Sequence, residues 1–421
     1  MNQRDVTMKI IYYIIDAFAR RELDYILHKR PKGGFAQLIK HGGVKTLNSI
    51  FPAETMPAQA SLITGEPPAK HGLSANLFCY EDLLISMDVS LGPIPKLNFY
   101  HYFDLINNFA LSRDVKTIFE YAKEHDLKTY DIQEFIFRGA NKIFPPLYRW
   151  KRFWFLDYLY RLNTFYVHSI LKGKEYTHMH HANFFLKAVN AIKNGFDFVV
   201  VYNLWTDFLV HHYGEKGIRD GLIAADIAIE RGLKKLDIEN TLVVVTADHG
   251  FSFAKENTNL LEIFNKHGIK CMHTNFSGYT KKRSNTCYVT TGIGHFAQIF
   301  LNGEDIDKVL QVINNHVPYE VLMVKEHHKM KVIEGDIDRE LIDLWVGQNN
   351  IKRVGDIAIV SPKNIMYGQK SGYYHSSHYP EDREVPFITS NEEVLHKIND
   401  GDLITEAPQA VSYTHLTLPT N

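Results

Sequence analysis

Six residues of the chain, Asp16, Thr55, Asp207, His211, Asp248 and His249, have side chains that suit metal-assisted chemistry, and His375 and His378 add two imidazoles in a late loop. Carboxylates with neutral imidazoles and no thiolate form a hard-to-borderline ligand set, suited to Zn²⁺ or Mn²⁺. Two such ions about 3.5–4 Å apart can activate one oxygen nucleophile and stabilise the leaving side of an in-line displacement. Thr55 is the hydroxyl of the set, and a hydroxyl beside divalent cations ionises far more readily than a free one. Taken singly, these residues have plainer readings: Thr55 as the N-cap of an ordinary helix, Asp16 as a helix or turn cap.

The elements around them decide between these readings. Thr55 lies in the stretch Phe-Pro-Ala-Glu-Thr-Met-Pro-Ala-Gln-Ala-Ser-Leu-Ile-Thr-Gly, residues 51–65. Pro57 has no backbone N–H and a helical φ, which suits the first turn of a helix continuing through Ala58 to Ile63. Thr55 therefore falls at or just before a helix N-terminus, where free N–H groups and the positive dipole end favour an anion. A phosphate attacked by the hydroxyl could rest on those same N–H groups. Lys9 to Ile15, Phe196 to Tyr202 and Thr241 to Thr246 are short apolar, largely β-branched or aromatic runs without polar alternation, as buried parallel strands are. Asp16, Asp207, His211, Asp248 and His249 follow such runs, in or near loops. A parallel sheet gathers such loops at one edge, outside the carboxyl ends of its strands. Helices are expected at Phe35–His41, Lys116–His125, Asn183–Asn194, Gly217–Leu236 and Thr258–His267, giving an α/β alternation. Residues 77–113 read as irregular.

Composition narrows the class. The chain has 421 residues, a formal net charge of −1 and 45% hydrophobic residues. That is enough for a large core or two domains, and there is no basic field for a nucleic-acid duplex. The three cysteines, Cys79, Cys271 and Cys287, are far apart and form no CxxC, so neither a disulfide framework nor a cysteine zinc site is expected. The apolar run Ile10 to Ile15 is too short for a signal peptide, and no run reaches the roughly 18 apolar residues of a membrane span. The expected location is cytoplasmic.

Residues 134–180 break the α/β rhythm with a segment dense in aromatics and cations. It reads as an inserted cap packing on the main domain, as a lining for an apolar substrate tail, or as a patch at 144–172 that touches a membrane or lipid surface. Residues of about 270–355 read as a small α+β insert, with strands at Ala297–Leu301 and Glu320–Val324 around a helix at Asp305–His316. The stretch 410–421 matches no periodicity. It is expected to be a non-native or disordered tail, with the true C-terminus missing.

The ordered motifs are similar to those of the alkaline phosphatase superfamily, closest to its type I phosphodiesterase/nucleotide pyrophosphatase branch. They are Asp16 after the first strand; Phe51-Pro-x-x-Thr-x-Pro57 with Thr64-Gly65; His71-Gly72 with Asn76; Asp207-x-x-x-His211 followed by Tyr213-Gly214; and Asp248-His249-Gly250. The resemblance implies an α/β fold over 8–390: an alkaline-phosphatase-like core of mostly parallel sheet flanked by helices, with the inserted cap segments above. It implies two divalent metal ions, zinc first, and a covalent phospho-threonine on Thr55. By position, Asp16, Asp248 and His249 resemble the ligands of the zinc that activates Thr55. Asp207 and His211 resemble ligands of the second zinc. Its last ligand is implied to be His375, which has the family's spacing to Val385-Pro386; Ser376 stands where the family has glycine, so His378 stays an alternative. His212 beside His211 lacks the Asp-x-x-x-His spacing. Asn76 resembles the amide that, with the Met56 N–H, binds a non-bridging phosphate oxygen.

The implied function is hydrolysis of phosphodiester or pyrophosphate bonds in a small-molecule or nucleotide substrate, with no protein partner indicated. The threonine argues against sulfatases, whose motif carries cysteine or serine. A phosphonate hydrolase or phosphomonoesterase on the same two-metal site is the runner-up. From another class, a non-catalytic phospho-ligand-binding protein would keep the pocket and lose the metal.

Overall fold

The computed structural model describes residues 8–81, 83–86, 103–144, 174–273, 278–282, 285–289, 294–368 and 370–412. The chain divides into two compact units. One comprises Met1–Leu47, Lys116–Asp248 and Val385–Asn421, the other Asn48–Val115 and His249–Glu384.

The first unit is built on a seven-stranded sheet in the order Gly43–Asn48, Glu384–Thr389, Thr241–Thr246, Lys9–Ile15, Phe198–Asn203, Thr129–Ile132, Lys142–Phe144. Lys9–Ile15 runs parallel to both of its neighbours, and Thr129–Ile132 is parallel to both of its own. Glu384–Thr389 runs antiparallel to Thr241–Thr246. The three central strands are buried almost throughout. Burial on both faces is why their sequences show no alternation. Helices Arg20–Lys29, Gly34–His41, Lys174–Lys193 and Trp205–Leu233 belong to the same unit. Gly34 lets its helix approach Trp205–Leu233 closely, since a Cβ there would lie 2.6 Å from the Glu230 nitrogen.

Two expectations change here. Asp207 and His211, read as near-loop residues, sit on the helix Trp205–Leu233, which begins well before the expected Gly217. Gly214, with φ 63° and ψ −154°, breaks that helix, so the early segment is too short to show a periodicity of its own. Residues 410–412, expected to start a tail, close the helix Glu406–Ser412 instead, where Ala407, Ala410 and Val411 supply a buried apolar face. The rest of that tail, and residues 145–173 of the aromatic insert with its suggested lipid patch, lie outside the described residues. Among the described residues, no helix is long and apolar enough to cross a membrane.

The second unit contains a six-stranded sheet in the order Cys271–His273, Cys287–Val289, Phe296–Phe300, Ile357–Val360, Val321–Glu326, Lys329–Glu334. Successive residues alternate between two cores, as strand geometry demands. Ala297, Ile299, Leu322, Ile357 and Ile359 join Leu260, Phe264, Val309 and Ile313 on one face. Phe296, Val321, Met323, Ala358 and Val360 join Phe51, Trp345 and Ile351 on the other. The insert expected at about 270–355 is thus part of a larger sheet that needs Ile357–Val360 between its strands. Residues 77–113, read as irregular, hold the strands Leu77–Tyr80 and Leu83–Ser86, each of four residues and too short for a pattern.

Trp345 is the hub of the second core. It is fully buried, lies edge-on to Phe51 and Phe296 at 5.5 and 5.3 Å, and donates its indole N–H to the Ser74 carbonyl at 2.8 Å. Trp345→Ala is expected to cost about 3–5 kcal/mol in chemical denaturation. A loss below about 1 kcal/mol would contradict its place as hub.

Candidate active site

The unit boundary divides the expected site residues four and four and passes through the Asp248–His249 peptide bond. The first unit holds Asp16, Asp207, His211 and Asp248.

Asp16 and Asp248 each follow a buried central strand, and both carboxylates are themselves buried. Each places an oxygen within 4.8 Å of the other. The Tyr202 hydroxyl donates to Asp16 Oδ2, and Thr206 Oγ1 donates to the Asp16 carbonyl at 2.5 Å. Ala17 takes a left-handed φ of 57°, which lets its N–H donate to Asp248 Oδ1 at 3.3 Å. Burial, and then the charges of Asp248 and Asp207, push the Asp16 carboxyl well above the usual carboxylate range. Buried carboxylates this close repel, and a divalent cation would turn the repulsion into attraction. The donor set fits such an ion.

Asp207 and His211 are one helical repeat apart, so they share a face, with His211 Nε2 3.1 Å from Asp207 Oδ1. The adjacent His212 turns outward, stacks on Phe208 and bonds the Phe208 carbonyl through Nδ1 at 2.8 Å.

The second unit holds Thr55, Asn76, His249 and His375. Thr55 is the first residue of the helix Thr55–Thr64, with Glu54 at its N-cap. Its hydroxyl lies 3.2 Å from His249 Nε2. His249 Nδ1 donates to the Gly250 carbonyl at 2.9 Å, so Nε2 keeps a lone pair. His375 stacks on His249 with ring centres 3.9 Å apart, and its Nδ1 donates to the Ala53 carbonyl at 2.9 Å. Its Nε2 is therefore also left with a lone pair, the tautomer that a metal ligand needs. His378 lies elsewhere, against Tyr379 and with Nε2 3.7 Å from Glu320. The His375 loop is held from behind: the His295 N–H donates to the His375 carbonyl at 3.0 Å. A Cβ on Gly294 would come within 2.2 Å of the same oxygen.

The Met56 N–H, expected to face a phosphate oxygen, donates instead to Asn76 Oδ1 at 2.8 Å. The Asn76 N–H in turn donates to Glu54 Oε2 at 2.5 Å. Burial raises Glu54 to about 7, with the Asn76 N–H pulling the other way. The loop bearing Asn76 is fixed by the Trp345–Ser74 bond and by Arg353, which donates to the Gly72 and Ala110 carbonyls at 2.7 and 2.5 Å.

Sequence reasoning passed over Tyr202, Glu54 and Arg353. Tyr202 near the end of a buried strand and Glu54 directly before Thr55 carry a positional signal. Arg353 carries none, because its partners are distant in the chain.

His71, quoted in the motif for its position, has a structural task. Its Nδ1 accepts the Leu73 N–H at 3.2 Å, so its Nε2 donates to Ser61 Oγ at 3.1 Å, tying the loop to the helix of Thr55. Burial lowers its pKa from 6.5 to about 3. The unfolded chain therefore binds this proton first. The His71 contribution is whole above pH 6.5 and is lost progressively as pH falls towards 3, at up to about 1.4 kcal/mol per pH unit. Denaturation across that range should show a shallower pH slope for His71→Gln than for the parent chain; equal slopes would refute the assignment.

Comparison with known proteins identifies the family and the fold. A profile of the family described as type I phosphodiesterase/nucleotide pyrophosphatase matches residues 12–382. No curated protein sequence matches the chain. Among solved structures, the phosphonoacetate hydrolase of Sinorhizobium meliloti with phosphonoformate is 16% identical, with a TM-score of 0.62, covering 97% of this chain and 96% of its own. Murine ectonucleotide pyrophosphatase/phosphodiesterase 5, as an inactive variant with AMP, is 15% identical with a TM-score of 0.61 and coverage of 98% and 97%. The alkaline phosphatase PafA is 16% identical with a TM-score of 0.63 and coverage of 97% and 96%. These similarities establish an alkaline-phosphatase-like fold.

Proposed function

The chain belongs to the type I phosphodiesterase/nucleotide pyrophosphatase family, and from that premise we propose that it is a zinc-dependent hydrolase of phosphodiester or pyrophosphate bonds with Thr55 as nucleophile. The observation that carries the reading is Thr55 at the head of its helix with its hydroxyl 3.2 Å from His249 Nε2. Asp16, Asp248 and His249 would hold the ion that serves Thr55, and Asp207, His211 and His375 would hold the second. When bound, the two ions supply Lewis acidity that eases ionisation of the Thr55 hydroxyl and stabilises charge on the leaving oxygen.

Thr55 Oγ1 attacks phosphorus in line, and the alcohol or nucleotide departs from the opposite side. Water then displaces Thr55 from the phospho-threonine, which still carries the substrate's remaining ester, releasing the phosphomonoester and restoring the hydroxyl. The Met56 N–H has to leave Asn76 Oδ1 before it can meet a non-bridging oxygen, and the Asn76 amide then becomes a second donor to that oxygen. Losing one such donor costs about 10²–10³ in rate. Tyr202 and Thr206 hold Asp16, and the Ala53 carbonyl holds His375 in the tautomer a ligand needs.

The neighbours' ligands, AMP and phosphonoformate, support a small phosphorylated substrate. The phosphonoacetate hydrolase, as similar in fold as the nucleotide enzyme, keeps a phosphonate hydrolase or phosphomonoesterase as the second reading.

Hydrolysis of a nitrophenyl phosphodiester is expected to exceed that of the matching monoester, to require zinc and to stop with chelator. Preference for the monoester moves the assignment to the second reading. Thr55→Ala is expected to lose turnover by at least about 10³-fold while retaining zinc by metal analysis. Retained turnover in that variant removes Thr55 as nucleophile.

A further inference from the structure

Two of the three cysteines, sixteen residues apart in sequence, meet in the fold. Cys271 and Cys287 are directly paired residues on adjacent parallel strands, Cys271–His273 and Cys287–Val289. Paired positions on neighbouring strands lie about 4.8 Å apart and point to the same face, within the span that a disulfide bridges. The two sulfurs face each other at 2.6 Å. Cys271 is 6% exposed and Cys287 is fully buried, and both belong to the core that contains Leu260, Phe264 and Ile299. Cys79 is in a different cluster, with Leu77, Leu84 and Tyr288.

The place of the pair in the sheet gives a bond something to do. Among the described residues Cys271–His273 is an edge strand of the sheet, and it pairs with its neighbour over three residues. Short edge strands open easily. The contacts that bring the two cysteines together are local and specific: the Cys287 N–H donates to the Lys270 carbonyl at 3.0 Å, and the Cys271 N–H to Asn265 Oδ1 at 3.2 Å.

We propose that Cys271 and Cys287 are a disulfide-forming pair that covalently fastens this edge strand to the sheet. The oxidant is a low-molecular-weight disulfide. The Cys271 thiolate attacks it, releasing one thiol and forming a mixed disulfide; the Cys287 thiolate then attacks the Cys271 sulfur and releases the second thiol. Two protons and two electrons pass from the protein to the two thiols released, and one S–S bond replaces another. Because Cys287 is buried and its thiol is pushed up by Cys271 and by burial, closure belongs to moments when the edge strand opens or to folding itself.

A pair pre-aligned by the fold must be easier to oxidise folded than unfolded, by the factor with which the bond stabilises the fold. The full chain is equilibrated at a series of glutathione to glutathione-disulfide ratios, natively and in denaturant, starting from both the reduced and the oxidised state. Thiols are then blocked, and peptides are mapped without reduction. The expected result is a Cys271–Cys287 link, a protein lighter by two hydrogens, and an unlinked Cys79. The midpoint should shift towards reducing conditions by on the order of 100-fold in the native chain relative to denaturant. Cys271→Ser should abolish the mass loss. Equal midpoints, a native chain harder to oxidise than the unfolded one, only mixed glutathione adducts, or a link through Cys79 would each overturn the proposal.

Discussion

Two buried carboxylates with oxygens within 4.8 Å of each other, Asp16 and Asp248, set the constraint on which the rest of the chemistry depends. Like charges in a poorly solvated place repel, and the raised pKa of Asp16 expresses that cost. A fold tolerates such a pair where other parts enforce it. Here the enforcement comes from three parallel strands whose hydrophobic burial fixes where each strand ends, and from Tyr202, Thr206 and the left-handed Ala17 around the acids. A divalent cation would convert the same arrangement from a liability into a binding site. Under the proposed function, that conversion would link a buried sheet of ordinary apolar residues to phosphoester hydrolysis.

In the second unit, main-chain contacts fix the orientation of the expected site residues. Thr55, His249 and His375 are held by backbone carbonyls and by a helix start, and the Asn76 loop is held by Trp345 and Arg353. Each imidazole has its Nδ1 committed to a carbonyl, so each offers Nε2. Hydrogen bonds to the main chain therefore choose the tautomer before any ligand arrives. The six-stranded sheet of the same unit is packed on both faces.

The central strands were legible in the sequence because complete burial leaves an unmistakable run, as in Thr241–Thr246. Thr55 at a helix start was legible because Pro57 constrains the backbone chemically. The helix carrying Asp207 and His211 was not, since Gly214 cuts it to a length without periodicity. The second unit's sheet was read as a small insert because two of its strands have only three residues and another, Ile357–Val360, lies between Phe296–Phe300 and Val321–Glu326 although it follows both in sequence. The meeting of Cys271 and Cys287 was invisible for the same reason: three-residue strands carry no pattern, and register is decided by tertiary packing. The Met56–Asn76 bond could not be read at all, because sequence names donors without saying where they point.

The central claim is that the Thr55 hydroxyl becomes covalently bonded to phosphorus during turnover. The most direct measurement is rapid acid quenching of the zinc-loaded protein with a phosphodiester, followed by mass spectrometry of the peptide containing Thr55. The account predicts a phosphorylated, or phosphoester-bearing, Thr55 that appears within the first turnover, and no adduct on the corresponding peptide of Thr55→Ala. Turnover of the diester with no adduct on Thr55 at any quench time, or an adduct on another residue, would contradict it.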